Sequence, residues 1–93
     1  MLIVGLFKIR PDAPPMADGV GRRAQYQMPE GTQPVAEYWL QTNDPAVITV
    51  FEADNAASIM AMRAVWGDTF DMTFVPAFTL QEGLPAAAQL APQ

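Results

Sequence analysis

Apolar positions in this chain follow two rhythms, and the rhythms alternate. Residues 2–9 read Leu-Ile-Val-Gly-Leu-Phe-Lys-Ile. At a period of two, Leu2, Val4 and Leu6 point one way and Ile3, Phe7 and Ile9 the other. A strand over residues 1–10 is therefore apolar on both faces. Pro11 ends it, because proline has no N–H to donate to a ladder. Residues 12–26 shift to a helical period: Ala13, Met16, Val20 and Ala24 share one face, and Asp18, Arg22 and Gln25 the opposite one. Asp12 is placed to cap this helix, with Pro14 and Pro15 in its first turn. Gly19 and Gly21 each cost about 1 kcal/mol against alanine in a helix interior, so packing has to hold the helix in place.

The second half repeats the scheme. Residues 27–33 form a loop in which Pro29 is followed two positions later by Gly31, as a type II turn wants. Residues 34–41 alternate again, Val35, Glu37, Trp39 and Gln41 against Ala36, Tyr38 and Leu40. The Thr42-Asn43-Asp44-Pro45 turn makes them one arm of a hairpin. The other arm is Val47-Ile48-Thr49-Val50-Phe51, uncharged and all β-branched or aromatic, a strand that needs cover on both faces. Asp54 or Asn55 caps a second helix. Its core stripe is Ile59, Met62 and Trp66, flanked by Val65, while Ala57, Met60, Ala61 and Ala64 leave the reverse side nearly as apolar. Gly67 can end it in a left-handed conformation. Residues 69–80 read as a fourth strand with Phe70, Met72, Phe74, Phe78 and Leu80 on one face, and Pro76 marks a sheet edge or a bulge. Residues 81–93 are Ala, Pro and Gln with little pattern, a disordered or docked tail behind a domain of residues 1–80.

The element order β-α-β-β-α-β is two right-handed βαβ units joined through a hairpin. It predicts a ferredoxin-like α+β fold, with a four-stranded antiparallel sheet in the order 4-1-3-2 and both helices on one face. The other face is then bare, yet the first and third strands are apolar on that side too. Each such side chain left in water forgoes roughly 1.5–3 kcal/mol. A second copy closing over that face recovers it, so a homodimer of stacked sheets, a dimeric α/β barrel, is expected.

Composition then narrows the chemistry. Ninety-three residues make one small domain, and the chain has neither cysteine nor histidine. Disulfides, thiolate metal sites, histidine-based triads and histidine-ligated zinc or haem are excluded. The formal charge of −5 opposes a nucleic-acid partner, which needs a basic footprint. No apolar run approaches the roughly 20 residues of a membrane helix, so no membrane partner is expected. Residues 2–9 are too short and wrongly flanked for a signal peptide, which makes the cytoplasm the expected compartment.

Glu37, Glu52, Asp54 and Asp68 are the carboxylates nearest ordered elements, but they lack ligand-type spacing; no metal and no cofactor is expected, and capping and solvated roles fit them better. Tyr38 and Trp39 are adjacent on a strand and so point to opposite faces. With Glu37, Thr49, Phe51, Met72 and Phe74 they are the candidate lining of a cavity for an apolar or aromatic molecule, against the plainer reading that they are core. Met60 and Met62 lie about 200° apart on a helix and cannot chelate one ion. Arg22-Arg23 reads as a solvated face rather than an anion site.

Several short pieces occur in a familiar order: the opening strand Leu2 to Ile9, Pro29-Glu30-Gly31, Trp39, Phe51-Glu52-Ala53-Asp54-Asn55, Trp66-Gly67-Asp68 and Val75-Pro76. Over about residues 1–80 the chain resembles a family of small bacterial proteins known only as a domain of unknown function, of ferredoxin-like, dimeric α/β-barrel type. The first helix departs from that pattern, with two glycines and a double proline. The resemblance implies the fold and the dimer and no established activity. Fold-level analogy adds cofactor-free oxygenation or isomerisation of aromatic compounds. Three functions therefore stand side by side: a module binding a small apolar or aromatic molecule, a non-catalytic protein acting through oligomerisation, and a cofactor-free monooxygenase or isomerase. A void of several hundred Å³, lined by Tyr38 or Trp39 with one convergent carboxylate, separates the first from the second.

Overall fold

Two alternating-pattern hairpin arms and two further apolar strands pair into one antiparallel sheet of order β2-β3-β1-β4. The strands are β1 (Leu2–Ile9), β2 (Thr32–Trp39), β3 (Val47–Ala53) and β4 (Phe70–Pro76), and the helices are α1 (Met16–Gln25), α2 (Ala57–Trp66) and α3 (Leu80–Leu90). These come from a computed structural model, which describes residues 1–90. The architecture is the expected ferredoxin-like α+β fold, with the two most apolar strands, β1 and β3, at the centre.

The register sorts the side chains. Ile3 lies opposite Phe51, Gly5 opposite Thr49, and Phe7 opposite Val47 on β3 and Met72 on β4. This set faces the helices. Ile3, Phe51, Ala53 and Met62 form the buried core, with Met28, Ile59 and Phe74 packed against it. Gly5 is there because nothing larger fits. A Cβ at Gly5 would meet Thr49 Cγ2 at 2.8 Å, Phe7 Cε1 at 2.9 Å and Phe74 Cε1 at 3.1 Å. The other face carries Leu2, Val4 and Leu6 from β1 and Ile48 and Val50 from β3, all half-buried, with Ala36, Tyr38 and Val75 beside them.

Four local expectations change. The first helix starts at Met16, not Asp12. A residue before proline is pushed out of the α region, so Ala13 and Pro14 cannot open a helix, and Pro15 is extended at φ −54°, ψ 145°. Asp12 instead accepts from Arg10 Nε at 3.1 Å. Gly67 is right-handed, at φ −66° and ψ −17°; its Cβ would lie 2.7 Å from the Arg63 carbonyl oxygen. Asn55 does assist α2, its Oδ1 accepting from Ala57 N at 2.9 Å, while Gly31 takes the left-handed φ of 84° its turn requires.

β4 closes at Pro76, so Phe78 and Leu80 leave the sheet and stand largely exposed. Residues 80–90 are helix rather than structureless tail. The cause is a reciprocal cap: Thr79 Oγ1 accepts from Glu82 N at 3.1 Å, and Glu82 Oε1 accepts from Thr79 N at 3.3 Å. Thr79-Leu80-Gln81-Glu82 is a capping-box sequence. α3 buries none of its residues. The last part of the expected tail, residues 91–93, lies outside the described residues.

Candidate functional site

α1 is an amphipathic helix that buries none of its residues. It stands off the sheet, and the space beneath it is a cavity of about 420 Å³. Phe7, Val47 and Thr49 form its floor on the sheet, Met62 and Trp66 of α2 one wall, and Gly19 and Val20 of α1 the roof.

Two arginines hold the roof in place. Arg22 Nη1 donates to Asp68 Oδ1 and Oδ2, each at 3.1 Å, and to Thr69 Oγ1 at 3.3 Å, while Nη2 donates to the Val65 carbonyl. Its guanidinium lies 4.8 Å from the centre of the Trp66 ring. These contacts tie α1 to the C-terminal end of α2, where a cation also meets the helix dipole favourably. Hydrogen bonds from Arg22 and from Thr69 Oγ1 hold the Asp68 carboxyl below the usual carboxylate range. Arg23 grips the sheet instead. Its Nε and Nη2 both donate to Glu37 in a fork, at 3.0–3.2 Å. Trp39 Nε1 donates to the same carboxylate at 2.7 Å. The Arg22-Arg23 pair is therefore neither a solvated face nor an anion site; each guanidinium has its own carboxylate partner.

Glu37 and Trp39 reach the cavity because of a bulge. β2 pairs with β3 as Thr32 to Ala53 and Pro34 to Phe51, then slips by one residue at Val35, so that Glu37 meets Thr49 and Trp39 meets Val47. Strict alternation from Pro34 would have sent Ala36 and Tyr38 under the helices. The extra residue reverses this, as bulges do, and it sits next to a proline that has no N–H for the ladder.

Of the residues expected to line a cavity, Glu37, Trp39 and Thr49 do so. Tyr38 lies on the opposite face of the sheet, paired with Ile48 and 59% exposed. Phe51 is fully buried core. Phe74 packs edge-on against Phe51 and Phe7, at centroid distances of 6.2 and 5.7 Å. Met72 lies on the same sheet face as Phe74, outside the cavity lining. Sequence reasoning missed Arg23 and Tyr26. One signal pointed to Arg23: Glu37 is the only charge in an otherwise uncharged strand, and it needed a cation.

Tyr26 follows α1 and packs edge-on against Trp66, with centroids 5.5 Å apart. Its hydroxyl is shut off from solvent without a hydrogen-bond partner. Burial pushes the phenol above its ordinary value of 10, with the Arg23 charge and the neighbouring Trp66 indole pulling the other way. Among the described residues no group of three or more acidic side chains is placed to hold a metal ion, and no helix is long and apolar enough to cross a membrane.

A family model described as a domain of unknown function, DUF3303, matches residues 1–91. The chain belongs to the DUF3303 family. No curated protein and no solved structure shows significant similarity to it. The DUF3303 fold thus comes with no assigned chemistry, and its cavity is the feature from which a function can be argued.

Proposed function

We propose that this DUF3303 protein is a homodimeric binding module that takes a small apolar or aromatic molecule into the cavity between α1 and the sheet. The observation that carries the reading is the cavity itself: about 420 Å³ of space, walled by apolar side chains with Glu37, Arg23 and Trp39 converging on it. Ligand sites have this size and this mixture. A protein acting only through oligomerisation has no use for such a void, because filling it would stabilise the fold. Binding is favoured over catalysis because the Glu37 carboxylate accepts from Arg23 and Trp39 on both oxygens. Three N–H donors, one of them a guanidinium charge, already stabilise the ionised carboxylate and make it a weak base.

The dimer half of the proposal rests on the exposed sheet face. Val4, Leu6, Ile48 and Val50 lie at its centre. Lys8, Asp71, Glu52 and Gln33 lie towards its margin, an apolar middle within a polar rim. α1 and α2 are on the other side, and α3 buries none of its residues. Stacking two such faces recovers the burial that each forgoes alone.

A thermal-shift series with neutral aromatic compounds, aromatic acids, nucleotides and divalent ions tests the first half. At least one aromatic compound raises the melting temperature; if none does, the binding reading falls. Sedimentation tests the second half. Val50→Lys, on the bare face, gives folded monomer at concentrations where the native chain is dimeric. A native chain that sediments as a monomer rejects the dimer.

A further inference from the structure

The charge of the cavity restricts what can occupy it. Among the described residues only two ionised side chains line it, Arg23 and Glu37, and they neutralise each other through a forked ion pair. The remaining lining is apolar or uncharged. An anionic ligand entering this space would lose its hydration and find no uncompensated positive charge, because Glu37 already neutralises Arg23; to gain a counter-ion it would have to draw Arg23 away from Glu37. That would leave a carboxylate in apolar surroundings without its counter-ion, which is strongly unfavourable. A cationic ligand would have to draw Glu37 away from Arg23, at similar cost, and would meet the guanidinium. An uncharged ligand disturbs neither partner.

The pair still has something to offer. Arg23 uses Nε and Nη2 on Glu37, while Nη1 has no protein partner among the described residues. A guanidinium presents donors only, so what it can recognise in a neutral molecule is an acceptor oxygen. Glu37 takes Nε and Nη2 as a fork and so fixes the guanidinium in one orientation, as two parallel N–H···O bonds do.

We infer that the ligand is an uncharged, largely apolar ring compound carrying a carbonyl-type oxygen, which accepts from Arg23 Nη1 while the Arg23–Glu37 pair stays intact. This rests on the binding reading above and adds the charge and the polar handle of the molecule bound.

Calorimetric titration of the full chain with two molecules of nearly the same shape tests it: 2-acetonaphthone, a neutral ketone, and 2-naphthoate, its anionic counterpart. The ketone binds at least tenfold tighter. Glu37→Gln keeps the shape of the side chain and removes the charge, which releases Arg23 as an uncompensated cation. In that variant naphthoate gains at least tenfold in affinity. If naphthoate binds the native protein as tightly as the ketone, the charge inference is overturned while the cavity remains a binding site. If naphthoate gains nothing in a folded Glu37→Gln variant, the role given to Arg23 is overturned. If neither compound binds, the inference fails together with the reading it rests on. The comparison on the native chain needs no variant, so it decides the matter even if Glu37→Gln does not fold.

Discussion

Gly19 is the position where stability and binding should part company. It lies in the roof of the cavity, in the body of α1, and a Cβ built there meets nothing within 4 Å. Gly19→Leu therefore adds a side chain where space exists. Replacing glycine by a good helix former within the helix gains about 1 kcal/mol. A leucine side chain buried roughly halfway into the cavity adds about 1 kcal/mol more. The sum, about 2 kcal/mol, corresponds to a rise in melting temperature of roughly 8–16 °C for a domain of this size. Gly21 is the control. It also has open space around its Cβ position, but it does not line the cavity. Gly21→Ala should gain about 1 kcal/mol from helix propensity alone. Thermal melts at one fixed protein concentration measure both, and titration with 2-acetonaphthone measures what is left of binding. Gly19→Leu is expected to be the more stable variant and to lose the ligand, while Gly21→Ala keeps it. A destabilised Gly19→Leu would mean that α1 lies closer to the sheet than the structure has it. A stabilised Gly19→Leu that still binds would mean that the ligand sits elsewhere.

Gly5→Ala is expected to destabilise by roughly 1–3 kcal/mol, the usual cost of overpacking, because its methyl would press on Thr49, Phe7 and Phe74; a urea midpoint equal to the native one would contradict this. Tyr26→Phe removes a buried hydroxyl without a partner and should stabilise by about 1 kcal/mol. Because burial raises the Tyr26 phenol, the stability tied to its protonated form is present below the ordinary value of 10 and declines as pH climbs through the raised value; Tyr26→Phe should flatten that alkaline decline in melts above pH 10. Asp68 is depressed by Arg22, so its contribution is present above the ordinary value of 3.8 and disappears as pH drops through the lowered one. Amide exchange in α1 should quicken over that acid range in the native chain and be less sensitive to it in Asp68→Asn, and identical profiles would show that Arg22 does not tether the helix.

The strand-level outline was legible in the residues because it depends on short-range periodicity. A period of two with apolar side chains on both faces can be satisfied only by central strands, and β1 and β3 are central. The helical stripe ending in Met62 and Trp66 was equally plain, and both are buried. α3 was legible in principle, since Thr79 and Glu82 spell its cap; the absence of a hydrophobic pattern after it concealed the signal.

Which of Tyr38 and Trp39 would face the helices was not written locally. Alternation says only that they point apart; a one-residue slip at Val35, set by how β2 meets β3 around Pro34, decides the matter. The cavity belongs to the same class. It exists because a helix with two glycines and a late start buries nothing and is held at its distance by Arg22 and Arg23. Their partners are 46 and 14 residues away in sequence. Periodicity reports which face of an element avoids water. The separation between two elements is set by the longest side chains and ion pairs that bridge them, and these come together only once the chain has folded.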